Sequence, residues 1–486
     1  MSRRLLQYFA GTPRSSQSEA APHLERAIRE ADVVCLLGPV GCGKSKLIEA
    51  ASLFAIEEGL APAGAVISLR TNALLDQFQR SLSPRGRWTF LRRKDSYSCP
   101  ELELSCEERH AEVGGFCKKG GPATPRGCPY VTALRSARIR GARVCTNWHL
   151  QMAHHLKPSM VCIDEAHGVP DFLAELNSKT YWRRQWGWPR TIETMDDVER
   201  WLRDAGGSVD LDPLRDAVSG AATGVKVSWG EDDFRGEPEE FIRVSPLDGR
   251  LHSSPLWPAS VSKILLASAT LSDIDIEAMG LSRRRVAWVK MRSEIPVESR
   301  RLLWWPMIDG RHGRHTPEDI GAAIAQVLEH YKGQRGIIHA TYSLARHLET
   351  SPALAANRHR LLFHQDAQTK TTVLADFLRD VGAGDSRTLV ISGQYEGLDL
   401  PGDLARFQIL TQVPRRSIGD SGYRWLAENR PRDYEWLAVR DLAQAYGRVC
   451  RGPDDFGDTI LIDSSAGKEL DSDLAPDWLK EAVVPV

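Results

Sequence analysis

Short apolar runs of strand length alternate with amphipathic stretches along most of this chain. The first, Val33–Leu37 (VVCLL), is followed at once by GPVGCGKS and then by an alanine-rich helical pattern, KLIEAASLFAIEE. Met160–Ile163 and the LLASATLS stretch over 265–272 read as further strands, each ending in small or polar residues. Beyond residue 300, RGIIHA (335–340), HRLLF (359–363), RTLVIS (387–392), FQILT (407–411) and DTILID (458–463) alternate with helical stretches such as PEDIGAAIAQVLEHY. Strand–helix alternation predicts an α/β fold of parallel sheets with helices on both faces and an active surface at the carboxyl ends of the strands. Residues 168–257 depart from this pattern: a tryptophan-rich turn, YWRRQWGWPR, precedes an amphipathic helix, DDVERWLRDAGG, with an acidic tail.

With 486 residues the chain exceeds one hydrophobic core and should form roughly three compact units. Its composition, 42% hydrophobic and 26% charged, is that of a globular protein, and no apolar run approaches the ~18 residues of a membrane span. The amino-terminal apolar patch is too brief for a signal-peptide core, so a cytoplasmic, non-membrane protein is expected. The net charge of −1 conceals a segregation along the chain. Residues 85–143 hold 13 Lys/Arg against 6 Asp/Glu, whereas residues 168–257 hold 11 against 17. The first region could attract a polyanion and the second repel one.

The loop after the first strand has the spacing Gly38-x4-Gly43-Lys44-Ser45 of a Walker A motif. Gly41 and Gly43 let backbone N–H groups wrap phosphates, Lys44 reaches the β/γ-phosphates, and Ser45 offers a hydroxyl to Mg²⁺. The second strand ends in Asp164-Glu165-Ala166-His167. Hydrolysis of Mg²⁺–ATP needs one carboxylate on the metal shell, here Asp164, and a second to orient or deprotonate water, here Glu165. Further on, Gln444, Gly447, Arg448 and Arg451 have Q-x-x-G-R-x-x-R spacing, which on a helix would aim Gln444, Arg448 and Arg451 from one face at a developing phosphoryl charge. Four cysteines, Cys99-x6-Cys106-x10-Cys117-x10-Cys128, lack the close pairs of zinc ribbons. Their spacing leaves a [4Fe–4S] cluster, zinc and free thiols open. The scattered Cys35, Cys145, Cys162 and Cys450 read as buried, inert thiols, with the loop residue Cys42 as the exception. Trp182, Trp186 and Trp188 read as packing residues.

Walker A, DEAH, Ser268-Ala269-Thr270 and QxxGRxxR in this order resemble a superfamily 2 helicase, and the four cysteines between the first two narrow the resemblance to the XPD/DinG-like iron–sulfur helicases. The resemblance extends over nearly the whole chain. Pro13–Gln17 resembles the adenine-reading Q motif, which would place Arg14 and Gln17 at the base; residues 68–78 resemble motif Ia, 336–346 motif IV, and 393–402 motif V, with Glu396 and Asp399 as its acidic residues. It implies two RecA-like parallel-sheet motor domains, the first interrupted by an iron–sulfur cluster domain and a short, mainly helical arch. The boundaries expected are motor 1 over 1–84, 143–167 and 258–284, the cluster domain over 85–142, the arch over 168–257 and motor 2 over 285–486.

ATP, Mg²⁺ and a [4Fe–4S] cluster on Cys99, Cys106, Cys117 and Cys128 are the cofactors implied, with nucleotide between the motor domains. Single-stranded or forked DNA is the implied partner, gripped by Thr71, Asn72, Lys94, Tyr97 and Asn147. The protein would act as a monomer moving 5′ to 3′, beside replication, repair or mobile-element proteins. A DNA-stimulated translocase that remodels protein–DNA complexes is the alternative. One departure is LRRKDSYSC, where Arg93 and Ser96 stand at positions that hold glycine and asparagine in the family.

Overall fold

The computed structural model describes residues 4–9, 11–82, 86–100, 127–188, 192–220, 224–234, 237–247, 256–311, 313–364, 367–379, 384–392 and 400–486. The chain forms two compact units, one ending at Met291 and the other built on Arg292–Val486. In chain order the strands of the first are β1 (Val33–Leu37), β2 (Ala65–Leu69), β3 (Thr89–Phe90), β4 (Arg143–Asn147), β5 (Met160–Asp164), β6 (Lys179–Trp182), β7 (Val225–Phe234), β8 (Glu237–Pro246), β9 (Lys263–Ser268) and β10 (Val286–Lys290). Seven of them make one parallel sheet in the order β10-β1-β9-β5-β2-β4-β3.

Why the central strands read as unbroken apolar runs is visible in β1. Val34 and Leu36 pack with Leu24, Ile28, Leu47 and Phe54 on one face, while Val33 and Cys35 pack with Trp148, Leu173, Leu256 and Met279 on the other. A strand covered on both faces has no polar side to show.

Two expected boundaries move. β10 pairs with β1 from Val33↔Val286 to Leu37↔Lys290, so the first compact unit runs to Met291 and not to residue 284. Thr89 and Phe90, within the span assigned to the cluster domain, pair with β4 at the sheet edge. Helix Pro129–Ala137 likewise sets Tyr130, Val131 and Leu134 in one core with Leu91, Val66 and Val144.

The insert over 168–257 is not mainly helical but mixed. β6, β8 and β7 form an antiparallel sheet in that order, with ten-residue strands in the hairpin β7–β8. Val227, Ile242 and Val244 of the sheet close over helix residues Val198, Trp201, Leu202 and Leu214. The three tryptophans pack as expected: Trp188 is buried edge-to-face on Trp201 at 5.1 Å, Trp186 lies against Tyr181, and Trp182 contacts Phe234 and Phe241.

The second unit holds β11 (Leu302–Ile308), β12 (Gly336–Ala340), β13 (Leu361–Phe363), β14 (Thr388–Ser392), β15 (Phe407–Leu410), β16 (Asp458–Asp463) and β17 (Val483–Pro485). They form a second parallel sheet, β13-β14-β12-β15-β16-β11-β17. Five of its strands are those expected from the apolar runs. The edge pair β11 and β17 is not among them, and β11 loses register between Trp304 and Ile308, around Pro306, which has no N–H to donate. Among the described residues no helix is long and apolar enough to cross a membrane.

Candidate nucleotide and nucleic-acid sites

Register decides which loops meet in the first unit. β1, β9 and β5 are neighbours, with Leu37 level with Ser268 and Asp164 level with Ala267, so the Walker, SAT and DEAH segments leave the sheet at one height. Gly41 and Gly43 have φ of 81° and 80°, a left-handed conformation that a Cβ would strain, and helix Lys44–Glu57 starts with no side-chain cap. A helix N-terminus presented this way is suited to an anion.

Lys44 is buried, and its Nζ donates to Gly38 O at 2.8 Å; Ser45 Oγ donates to Asp164 Oδ2 at 2.9 Å. The two groups assigned to the metal shell are thus already in contact. Burial, and then the Glu165 charge, push the Asp164 carboxyl up to about 6, with Lys44 and the Ser45 bond opposing. A carboxylate so placed gains from a cation beside it. Glu165 itself sits in the left-handed region at φ 55°, and its Oε2 lies 3.3 Å from His167 Nδ1, which is 2.9 Å from Ser268 Oγ. Ser268 Oγ also accepts from Thr270 N at 3.2 Å, so side chains join the DEAH and SAT segments.

Gln17 is buried at the start of helix Ser15–Glu30. Its Oε1 accepts from Arg14 N at 2.8 Å and its Nε2 donates to Gly43 O at 3.0 Å, bolting the amino-terminal segment to the phosphate loop. Pairing with a base would exchange one of these bonds. Cys42 is as buried as the other scattered cysteines: it is 1% exposed, its Sγ lies 3.8 Å from Met291 Sδ, and burial raises its pKa. The expectation of a distinct loop thiol is therefore corrected.

The residues assigned to DNA gather at the ends of β2 and β4, where Leu69 is level with Asn147. Thr71 Oγ1 caps helix Asn72–Ser81 by accepting from Leu74 N, and Asn147 Oδ1 caps helix Trp148–Ala153 by accepting from Leu150 N. Asn147 Nδ2 donates to Asn72 Oδ1 at 3.0 Å, so two capped helix N-termini stand side by side. Lys94 and Tyr97 form a separate group. Lys94 Nζ lies 5.8 Å from the centroid of the Tyr130 ring, which meets Tyr97 edge-on at 5.6 Å, while Tyr97 OH donates to Phe90 O and accepts from Arg92 N. Cys99 and Cys128, at the two ends of the cysteine segment, are both buried. Cys106 and Cys117 lie outside the described residues, as do Glu396 and Asp399; among the described residues no three His, Cys, Asp or Glu side chains converge on a metal position.

In the second unit helix Pro431–Tyr446 ends before Gly447. Gln444 is on its last turn, but Arg448 and Arg451 follow in an irregular segment, which corrects the expectation of one helical face. Gln444 and Arg448 are buried. Asp455, which lies outside every motif above, holds this segment: it accepts from Arg451 N at 3.0 Å, from Gly402 N at 3.1 Å and from Arg406 Nη1 at 2.9 Å. Only its place four residues after Arg451 could have marked it.

A helicase C-terminal domain family model matches residues 324–482. An ATP-dependent DNA helicase DinG from Photobacterium profundum is 24% identical over 259 residues, which are 48% of this chain and 36% of that protein. The match thus spans about a third of the relative's length. Among solved structures, an XPD helicase superposes with a TM-score of 0.60 over 98% of this chain and 100% of its own at 14% identity, and an apo XPD structure with 0.55 over 96% and 99% at 13%. Both likenesses are of fold. The chain thus carries a match to a helicase C-terminal domain, and in motif order and two-sheet fold it is similar to the XPD/DinG-like helicases of superfamily 2.

Proposed function

We propose that the chain is an ATP-dependent DNA helicase that moves 5′ to 3′ on single-stranded DNA and parts duplex with a wedge stapled by a [4Fe–4S] cluster. The observation that carries the ATPase reading is the Ser45–Asp164 hydrogen bond beneath a left-handed glycine loop, with Glu165 one residue on. Lys44 would bind the β/γ-phosphates, Ser45 and Asp164 would hold Mg²⁺, and Glu165 would take the proton of the attacking water. Arg448 and Arg451 would stabilise the charge that develops on the transferred phosphoryl group. Thr71, Asn72 and Asn147 suit a phosphodiester backbone, since amides, hydroxyls and helix N-termini contact phosphate without reading sequence.

Cys99 and Cys128 fit cluster ligation as buried thiols at the ends of a basic segment, and Cys106 and Cys117 would complete the set. Bound there, the cluster would fix an insertion whose sequence offers few large apolar side chains. The test is one anaerobic preparation assayed for iron and for ATP-driven unwinding of forks with 5′ or 3′ tails. Iron with unwinding of 5′-tailed forks is expected. Zinc with full activity overturns the cluster, and DNA-stimulated hydrolysis without strand separation selects the translocase alternative.

A further inference from the structure

A buried polar row crosses the second sheet beneath the end of helix Pro431–Tyr446. Gln408 on β15 is fully buried, and its Nε2 lies 3.0 Å from Ala445 O, 2.8 Å from Tyr446 O and 2.7 Å from Thr459 Oγ1. Thr459, level with Gln408 on β16, donates its own hydroxyl to Tyr446 O at 3.3 Å. Three acceptors around one nitrogen fix the amide's orientation, because the flipped amide would set oxygen against carbonyl oxygen. Gln408 Oε1 then accepts from His339 Nε2 at 3.2 Å, which makes that nitrogen the protonated one.

The last carbonyls of a helix need donors from outside it. A left-handed glycine often supplies them, but Gly447 has φ −80°, and here two strand side chains do so. Tyr446 O also receives Arg448 N at 3.0 Å, so the carbonyl that Gln408 and Thr459 hold is the one from which Arg448 is hung.

We infer that Gln408, with Thr459 beside it, is a positioning residue for Arg448: it fixes the helix end and thereby the place of the guanidinium. This rests on the reading of Arg448 as the group that stabilises transferring phosphate. A strand glutamine with no exposed surface has no route to nucleotide or DNA, so its contribution must pass through the carbonyls it binds. In Gln408→Met, which keeps length and loses both donors, kcat for DNA-stimulated ATP hydrolysis should fall on the order of 100-fold, the penalty of a misplacement of about 1 Å, with KM for ATP within about twofold.

The double variant Gln408→Met/Arg448→Ala should be no slower than Arg448→Ala alone, because the glutamine acts only through the arginine. A full kcat in Gln408→Met overturns the inference, as does a double variant slower than both singles. Retained hydrolysis in Arg448→Ala would instead defeat the reading beneath it, so the two failures are distinguishable. Should Gln408→Met not fold, Thr459→Val removes one donor from the same carbonyl; a smaller kcat loss at unchanged KM supports the assignment, and wild-type kcat overturns it.

Discussion

Glu165 should hold the first unit below the stability its backbone could have, and the deficit can be read from two substitutions. Its φ of 55° and ψ of 42° lie in the left-handed region, where an L side chain costs about 1–2 kcal/mol. Ala keeps that cost and Gly does not, while Gly adds about 0.4–1 kcal/mol of unfolded-chain entropy. The balance favours Glu165→Gly over Glu165→Ala by about 0.5–1 kcal/mol, or about 2 °C in Tm for a unit of this size. Both variants lose the charge that helps to raise the Asp164 carboxyl, so that repulsion cancels in the comparison. Thermal unfolding without nucleotide measures the difference, and ATPase assays should show both variants inactive. A Glu165→Ala protein as stable as Glu165→Gly would refute the strain, and hydrolysis in either would refute the role of the carboxylate.

Arg448→Ala should lower turnover at least about 10³-fold while ATP still binds, as measured by steady-state hydrolysis beside nucleotide titration. Asp385 is held down to about 2 by Arg387 and Arg335, so its contribution is present above the unfolded carboxylate range near 4 and is lost as pH falls through 2. Asp385→Asn should therefore destabilise the second unit by about 1 kcal/mol at pH 7, after solvent screening, and the gap to wild type should close on acidification, as followed by denaturant melts. Thr71→Ala should cost about 1 kcal/mol through the lost cap and weaken single-strand binding, while Thr71→Ser keeps both; anisotropy titrations beside melts separate the effects.

What could be read in advance follows from how strictly the chemistry or the packing constrains a residue. The Walker and DEAH segments need fixed spacings, and strands covered on both faces, as β1 is, show as apolar runs. The edge strand β10 reads VAWVK with only Val289 buried, so its pairing with β1 leaves little pattern. The β7–β8 hairpin hides because its distal half carries Glu231, Asp232 and Asp233 against Glu237, Glu239 and Glu240, which confines the apolar alternation of Val225, Val227 and Trp229 to the other half. The end of helix Pro431–Tyr446 is set by Gln408 and Thr459, both distant in sequence, so helical spacing carried the expectation past Gly447 to Arg451.

The groups that the proposed ATPase would use in the first unit are hydrogen-bonded within that unit. Lys44 rests on Gly38 O, Ser45 on Asp164 and Gln17 on Gly43 O, and in each case the partner is an oxygen. A buried donor left without an acceptor would cost about 1–3 kcal/mol, and each of these bonds removes that cost. These internal oxygens also fix the direction of each side chain. In the proposed function nucleotide binding would be an exchange of hydrogen bonds, in which the gain would come from charge: two phosphates for the Lys44 ammonium, and a cation for the Asp164 carboxylate that burial and Glu165 disfavour.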